Sequence, residues 1–151
     1  MITDRVIPPE LKKKIKILVV EDNLLGRKLV SFMLKNWGFS FDVCGNGKLA
    51  LEHLKINKYD LILMDIQMPE MNGYETTRYI REEMELGLPI IAMTSQVSEE
   101  ERARCLSIGM NDYLAKPIKE EDMYNLTVNY LFATVVQDKE NKLKNEAHNI
   151  Q

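Results

Sequence analysis

The chain has 151 residues, of which 45% are hydrophobic and 28% charged, and its formal net charge is −3. This length predicts one globular domain with short tails, and the balanced charge argues against nucleic-acid binding, which usually needs a clustered basic excess. No run of about 18 apolar residues is present to span a membrane, and residues 1–9 lack the features of a signal peptide. Cys44 and Cys105 are predicted to be buried free thiols, and we therefore expect a cytoplasmic domain, either free or within a membrane-anchored chain.

The first fourteen residues are predicted to be a linker. Pro8 and Pro9 favour extended backbone over helix, and a run of three lysines follows at residues 12–14. Short apolar segments then begin to alternate with amphipathic ones. Residues 15–20 are rich in β-branched side chains and predict the first strand.

The first long helix is predicted at residues 23–36, and Gly38 supplies its left-handed stop. Apolar side chains recur there at the spacing of one helical face, which we expect to face the core. These side chains are Leu25, Leu29, Phe32 and Met33.

The rest of the chain repeats this alternation. Five strands alternating with five helices predict a parallel sheet with helices on both faces and right-handed crossovers. The domain is thus predicted to span residues 15–134, and residues 135–151 form a tail that is either a helical extension or disordered. The further strands are predicted at residues 39–44, 60–64, 89–93 and 112–115, and the further helices at 47–56, 73–85, 98–109 and 119–134.

Polar side chains follow four of the five predicted strands. Glu21 and Asp22 come after the first strand, Asp65 after the third, Thr94 after the fourth and Lys116 after the fifth. Each residue alone has an ordinary structural interpretation, such as an acid at a helix N-terminus or a locally bonded hydroxyl. Because the carboxyl ends of parallel strands meet at one edge of a sheet, we expect these five side chains to converge on one site.

The chemistry of this set indicates phosphoryl transfer. Crowded carboxylates raise one another's pKa, and a divalent cation relieves that repulsion. Mg²⁺ suits such a site, as would Mn²⁺, because it accepts one or two carboxylates and still leaves room for phosphate oxygens. A cation and the Lys116 ammonium would together neutralise a phosphoryl group that moves in line onto a carboxylate oxygen.

Four segments around these residues resemble the signature segments of response-regulator receiver domains. They are residues 20–23, 64–73, 92–95 and 109–117. The resemblance covers about residues 15–134, with the right order and spacing. It implies an α/β, flavodoxin-like (βα)5 fold, a three-layer α-β-α sandwich whose parallel strands are ordered 2-1-3-4-5.

The same resemblance implies a role for each site residue. Asp65 resembles the phosphoacceptor, and Lys116 resembles the phosphate-contacting lysine, whose bond to Pro117 is usually cis in this family. Thr94 resembles the switch hydroxyl and Tyr113 the switch aromatic. The implied metal ligands are Glu21, Asp22, Asp65 and the backbone carbonyl of Gln67.

The implied function is that of a phosphoacceptor in a two-component phosphorelay rather than an enzyme acting on small substrates. The donor is a histidine kinase or a histidine phosphotransfer domain. Phosphorylation is expected to remodel the face formed by the fourth predicted helix, the fifth strand and the fifth helix. Self-association of the domain through this face is a further possibility. No direct contact with nucleic acid or membrane is expected. The segments look most like receivers of hybrid sensor histidine kinases, with a stand-alone regulator as the alternative.

Three other interpretations stay open. A metal-dependent phosphatase with Asp65 as nucleophile typically has a second acid two residues later, where this chain has Gln67. A flavin or nucleotide binder of the same fold needs a glycine-rich phosphate cradle, and the acidic loop at residues 21–26 does not supply one. The third is an interaction module that signals without phosphorylation.

Overall fold

The computed structural model describes residues 2–149, apart from the side chains of 137–141 and 149. Five parallel strands form one sheet in the order β2-β1-β3-β4-β5, which confirms the predicted flavodoxin-like topology. The strands lie within one residue of their predicted bounds. They are β1 (Lys16–Val20), β2 (Ser40–Cys44), β3 (Leu61–Asp65), β4 (Ile90–Thr94) and β5 (Asp112–Ala115).

Helices follow each strand, and a short helix precedes the first. Among the described residues, no helix is both long and apolar enough to cross a bilayer. In chain order the helices are α1 (Pro9–Lys12), α2 (Leu24–Asn36), α3 (Gly47–Ile56), α4 (Gly73–Glu82), α5 (Glu99–Ile108), α6 (Glu120–Leu131), a π-helical turn (Phe132–Val136) and α7 (Gln137–Asn149).

The two faces of the sheet bury two separate apolar clusters. Side chains alternate between faces along a strand, so Ile17 and Val19 of β1 pack with α2 and α6, whereas Leu18 and Val20 pack with α3, α4 and α5. This arrangement is the predicted three-layer sandwich. Cys44 and Cys105 are buried and free, as the sequence predicted.

The central strands β3 and β4 are buried on both faces and deliver polar residues to one edge of the sheet. Both are apolar until their last residue, which is Asp65 in β3 and Thr94 in β4. Asp65 lies in register with Met93, the residue before Thr94. The two polar side chains therefore end neighbouring strands at nearly the same level.

The inward face of α2 differs from the sequence prediction. Leu25, Leu29 and Phe32 were expected to be buried, yet they are 76%, 42% and 64% exposed. The helix has two adjacent apolar stripes at helical spacing, and periodicity alone cannot decide which of them meets the sheet. The side chains that do so are Val30, Met33 and Leu34.

Pro8 and Pro9 were expected to favour extended backbone over helix, which was wrong for Pro9, because it begins helix α1. Pro9 occupies the first position of α1, where its missing N–H removes no intrahelical bond. Ile7, two residues before Pro9, is buried in the apolar cluster that packs with α2 and α6. The Thr3 N–H donates to the Asn125 side chain over 2.7 Å. This segment packs on the domain, while the predicted boundary at residue 14 stays a prediction.

The predicted last helix, residues 119–134, is interrupted by a π-helical turn. The regular helix α6 ends at Leu131, and the Thr134 hydroxyl in the turn donates to the Tyr130 carbonyl over 2.8 Å. Such a bond competes with the regular helical pattern. Helix α7 then continues to Asn149. The assignment of residues 135–151 to a tail stays a prediction, and its last two residues lie outside the described residues.

Candidate functional site

The carboxyl ends of β1, β3 and β5 bring two buried acids and a lysine together. Glu21 follows β1 and is 1% exposed, and Asp65 ends β3 and is 3% exposed. The Nζ atom of Lys116, which follows β5, lies 2.8 Å from Glu21 Oε2 and 3.1 Å from Asp65 Oδ1. One ammonium group therefore bridges two buried carboxylates, and these three strand-end side chains lie together as expected.

The turn after β1 fixes the side chain of Glu21. The Glu21 N–H continues the sheet by donating to the Cys44 carbonyl over 3.0 Å. The Asn23 N–H donates to Glu21 Oε1 over 3.1 Å, and the Asn23 side chain caps α2 by accepting from the Gly26 N–H. Both carboxylate oxygens of Glu21 therefore have a defined partner before any ligand arrives.

Asp22 completes a set of three acids that fits a divalent cation. Carboxylate oxygens of Glu21, Asp22 and Asp65 lie within 4.8 Å of one another. Three carboxylates and one ammonium leave two uncompensated negative charges, and oxygen ligands are those that Mg²⁺ prefers. Asp22 is exposed, so the set is open to solvent on one side. The residues present thus fit the predicted metal.

The pKa values of the central pair reflect this excess of negative charge. Burial, followed by the Glu21 and Asp22 carboxylates, raises the pKa of Asp65 to about 7, although the Lys116 ammonium opposes the rise. Burial by itself would lower the pKa of Lys116, but Glu21 and Asp65 outweigh it and the pKa is raised. The ammonium is therefore held in its charged form, whereas ionised Asp65 is destabilised.

A cleft of about 340 Å³ opens beside the acids. The Lys116–Pro117 peptide bond on its rim is cis, as the family resemblance implied. Gln67 also lines the cleft, and the ligand role of its backbone carbonyl stays a prediction. The cleft has an apolar wall that the sequence analysis missed, formed by Gly26, Leu29, Val30 and Ile118.

Gly73, at the start of α4, allows close packing behind the predicted phosphoacceptor. A Cβ atom at this position would lie 2.4 Å from the Asp65 carbonyl oxygen. The Gly73 N–H donates to the Ile66 carbonyl over 2.8 Å. Only a residue without a side chain lets α4 begin this close to the end of β3.

The predicted switch residues lie next to this edge but make other contacts in this structure. The Thr94 hydroxyl is buried, accepts from the Gln96 N–H over 3.0 Å and donates to the Gln96 carbonyl over 3.3 Å. Tyr113 pairs with Ala92 in the sheet and is half-buried. Its side chain packs against the apolar cluster on the face that α3, α4 and α5 cover. The switch roles of Thr94 and Tyr113 stay predictions.

The sequence of this chain is similar to a known family and to known proteins. Residues 17–127 match the response regulator receiver domain family. The chain is 46% identical over 120 residues to hybrid signal transduction histidine kinase B of Dictyostelium discoideum. This alignment covers 72% of the chain but only 6% of the kinase, so the chain spans a small part of that relative.

Two solved structures are similar in fold and sequence. The receiver domain of sensor histidine kinase PA1611 from Pseudomonas aeruginosa, with a magnesium ion coordinated in its active site cleft, is 36% identical with a TM-score of 0.70. The match covers 77% of this chain and 96% of that one. The second is the co-crystal structure of the Saccharomyces cerevisiae phosphotransfer protein Ypd1 and the receiver domain of Ssk1, at 28% identity and a TM-score of 0.69, covering 72% of this chain and 83% of that one.

Proposed function

Because this chain belongs to the response regulator receiver domain family, we propose that its Asp65 accepts a phosphoryl group from a phosphohistidine of a partner protein. The family is that of two-component phosphorelays. The observation that supports Asp65 most directly is the Lys116 ammonium 3.1 Å from Asp65 Oδ1, at an open edge with two further acids. No other described set of three acids, cysteines or histidines has this proximity.

In the proposed step an oxygen of the Asp65 carboxylate forms a bond to phosphorus as the P–N bond to the donor imidazole breaks. The electron pair of that bond stays on the imidazole, which leaves neutral after it takes up a proton. Lys116 stabilises the negative charge of the phosphoryl oxygens, and such positioning and electrostatics account for most of the catalysis of phosphoryl transfer. The domain promotes its own phosphoryl uptake and later hydrolysis in this way.

Glu21, Asp22 and Asp65 would hold Mg²⁺ or Mn²⁺, with the Gln67 carbonyl as a further ligand. A bound cation supplies the positive charge that lets an anionic phosphoryl group approach three carboxylates. The protein supplies the fixed position of the first acid, because Lys116 and the Asn23 N–H each bind one oxygen of Glu21.

The negative charge of the new phosphate is proposed to switch the domain. Thr94 would exchange its local bonds to Gln96 for a phosphoryl oxygen, and Tyr113 would turn inward. The surface formed by α5, β5 and α6 would then be remodelled, and self-association at this surface is one available output. Charge-assisted hydrogen bonds of roughly 1.5–3 kcal/mol each supply enough free energy for a switch of about 5.5 kcal/mol.

The donor is proposed to dock on the exposed apolar side of α2. Leu25, Leu29 and Phe32 lie at helical spacing on this side, and Leu29 also lines the cleft. A helix that carries the phosphohistidine can bury such a row by helix-to-helix packing. Contact with Leu29 would bring the imidazole to the mouth of the cleft. The Ypd1–Ssk1 pair, a phosphotransfer protein with a receiver, is consistent with this class of partner.

We further propose that the parent protein is a hybrid sensor histidine kinase with this domain in the cytoplasm. The 46% identity to a hybrid kinase supports this parent. A stand-alone response regulator is the alternative, and the full reading frame decides between them.

Acetyl phosphate with Mg²⁺ tests the phosphoacceptor directly. The wild-type protein should gain one phosphoryl group in its intact mass, and Asp65→Asn should gain none, because an amide oxygen is a poor nucleophile. Asp60→Asn is a matched control, since Asp60 precedes β3 at the opposite end and binds the Lys16 N–H. Labelling of Asp65→Asn at the wild-type level would refute the proposal.

Substitution of the α2 row tests the docking surface. Phe32→Ser should slow transfer from a phosphorylated histidine phosphotransfer domain by about tenfold or more, because buried aromatic anchors dominate interface energy. Labelling by acetyl phosphate should be unchanged, since this donor needs no protein surface. The control is Ile56→Ser, another exposed apolar side chain at the end of α3. Equal slowing with both donors would contradict a docking role.

A further inference from the structure

Gly26 is a helical glycine whose backbone conformation does not require glycine. It is the third residue of α2, and its N–H is held by the Asn23 side chain over 3.0 Å. Its φ angle lies outside the positive range that favours glycine. Glycine is unfavourable in a helix relative to alanine. The reason for this residue must therefore be found in the space around it.

That space is occupied by the side chain of Glu21. A Cβ atom on Gly26 would lie 3.0 Å from Glu21 Cδ, 3.1 Å from its Cγ and 3.3 Å from its Oε1. Cγ and Cδ are the carbons that carry the Glu21 carboxylate into the cleft. Gly26 thus lies against the side chain that positions the first acid.

Glu21 has little freedom to move away from a new side chain. It is 1% exposed, Lys116 binds its Oε2 over 2.8 Å and the Asn23 N–H binds its Oε1 over 3.1 Å. A methyl group at position 26 would therefore displace the carboxylate or stretch these two contacts. Either change moves one of the three acids that lie within 4.8 Å of one another.

We propose that Gly26 is a positioning residue of the metal site that acts as a pair with Glu21. The absent side chain at position 26 makes room for the Glu21 side chain and sets where its carboxylate lies. This inference rests on the proposed function, because it concerns the divalent cation of that site.

Calorimetric titration with Mg²⁺ tests the pair. Gly26→Ala should weaken Mg²⁺ binding by about 10-fold, the loss typical when a residue that supports a metal ligand is changed. In a Glu21→Ala background the same change should cost no further Mg²⁺ affinity, because position 21 then has no long side chain for the methyl group to displace. The control is Gly87→Ala, because a Cβ atom there meets nothing within 4 Å.

Thermal melting in the presence of a chelator provides a readout without metal or phosphate. With Glu21 present, Gly26→Ala should lower Tm, because the methyl group meets the glutamate side chain. With Glu21→Ala, the same change should raise Tm, because alanine at position 26 then has only its better helix propensity. The sign of the effect is thus set by the side chain at position 21.

The inference is overturned if Gly26→Ala raises Tm in the Glu21 protein and leaves the Mg²⁺ titration unchanged. Should Gly26→Ala fail to fold, the variant that also carries Glu21→Ala must fold, and failure of both overturns the pair. A wild-type protein that neither binds Mg²⁺ nor takes up a phosphoryl group would defeat the proposed function instead. The melting comparison would still decide whether position 26 must leave room for the Glu21 side chain.

Discussion

Two aspartates of the same sheet have pKa values displaced in opposite directions. The pKa of Asp65, at the end of β3, is raised to about 7 by burial and by neighbouring acids. For Asp42, in β2, burial also acts to raise the pKa, but hydrogen bonds from Tyr59 and Lys16 outweigh it and the pKa is lowered. Lys16 Nζ lies 3.0 Å from Asp42 Oδ2.

The difference lies in the neighbours of each carboxylate. Asp42 has its own cation and a phenol donor, so folding compensates its charge and the cluster is structural. Asp65 shares one lysine with Glu21 and lies beside Asp22, so folding leaves negative charge uncompensated there. A carboxylate with a strongly shifted pKa in an open cleft indicates a functional site, because a bound cation can neutralise the uncompensated charge.

Substitution of Lys116 and of Lys16 should give the largest difference, in the rate of phosphoryl uptake. Lys116→Ala should slow phosphoryl uptake from acetyl phosphate by about 100-fold, the usual loss when one group that stabilises transition-state charge is removed. Lys16→Ala should leave the rate unchanged, because Lys16 pairs with Asp42. Time courses of intact mass measure both rates. Equal slowing in both variants would show that the two clusters do not differ in the proposed way.

The next largest effect is expected in the free energy of unfolding, measured with urea in the presence of a chelator. Because the folded pKa of Asp65 is raised, its stabilising contribution is present below about pH 4 and is lost as the pH rises through about 7. Asp65→Asn should therefore raise the free energy of unfolding at pH 8 by roughly 1–3 kcal/mol. Asp42→Asn should have the opposite sign. A loss of stability in Asp65→Asn would contradict the uncompensated charge.

The smallest expected effect is the acid sensitivity of Asp42. Its folded pKa is lowered, so its stabilising contribution is present above the unfolded value of 3.8 and is lost as the pH falls through the folded value. Asp42→Asn should reduce stability at pH 7 by about 0.5–1 kcal/mol and flatten the dependence below pH 4. Melting between pH 2 and pH 7 measures this slope. An unchanged acid slope would show that the pairing of Asp42 contributes nothing.

The sequence was sufficient to predict how Asp65, Glu21 and Lys116 converge. The alternation of strands and helices determines a parallel sheet, and a parallel sheet places all strand ends at one edge. The acids and the lysine were therefore expected at one edge, and the strand order implied by the family resemblance places β1 beside β3 there. The registers of β1, β3, β4 and β5 were not needed for this conclusion.

Features that depend on the rotation of a helix or on distant pairs were not predicted. The contact of Gly26 with Glu21 requires the orientation of α2, and two apolar stripes left that orientation open, which is also why Phe32 was expected inside. The pairing of Asp42, in β2, with Tyr59, in the loop before β3, depends on one hydroxyl, and no motif marks either residue.

Reductive trapping with borohydride tests the central claim most directly. After treatment with acetyl phosphate and Mg²⁺, borohydride converts an aspartyl phosphate to homoserine, and peptide mapping locates the converted residue. We expect homoserine at position 65 alone, with Asp42 and Asp22 intact. Homoserine at position 22 or 42, or at no position despite a gain of phosphoryl mass, would contradict it.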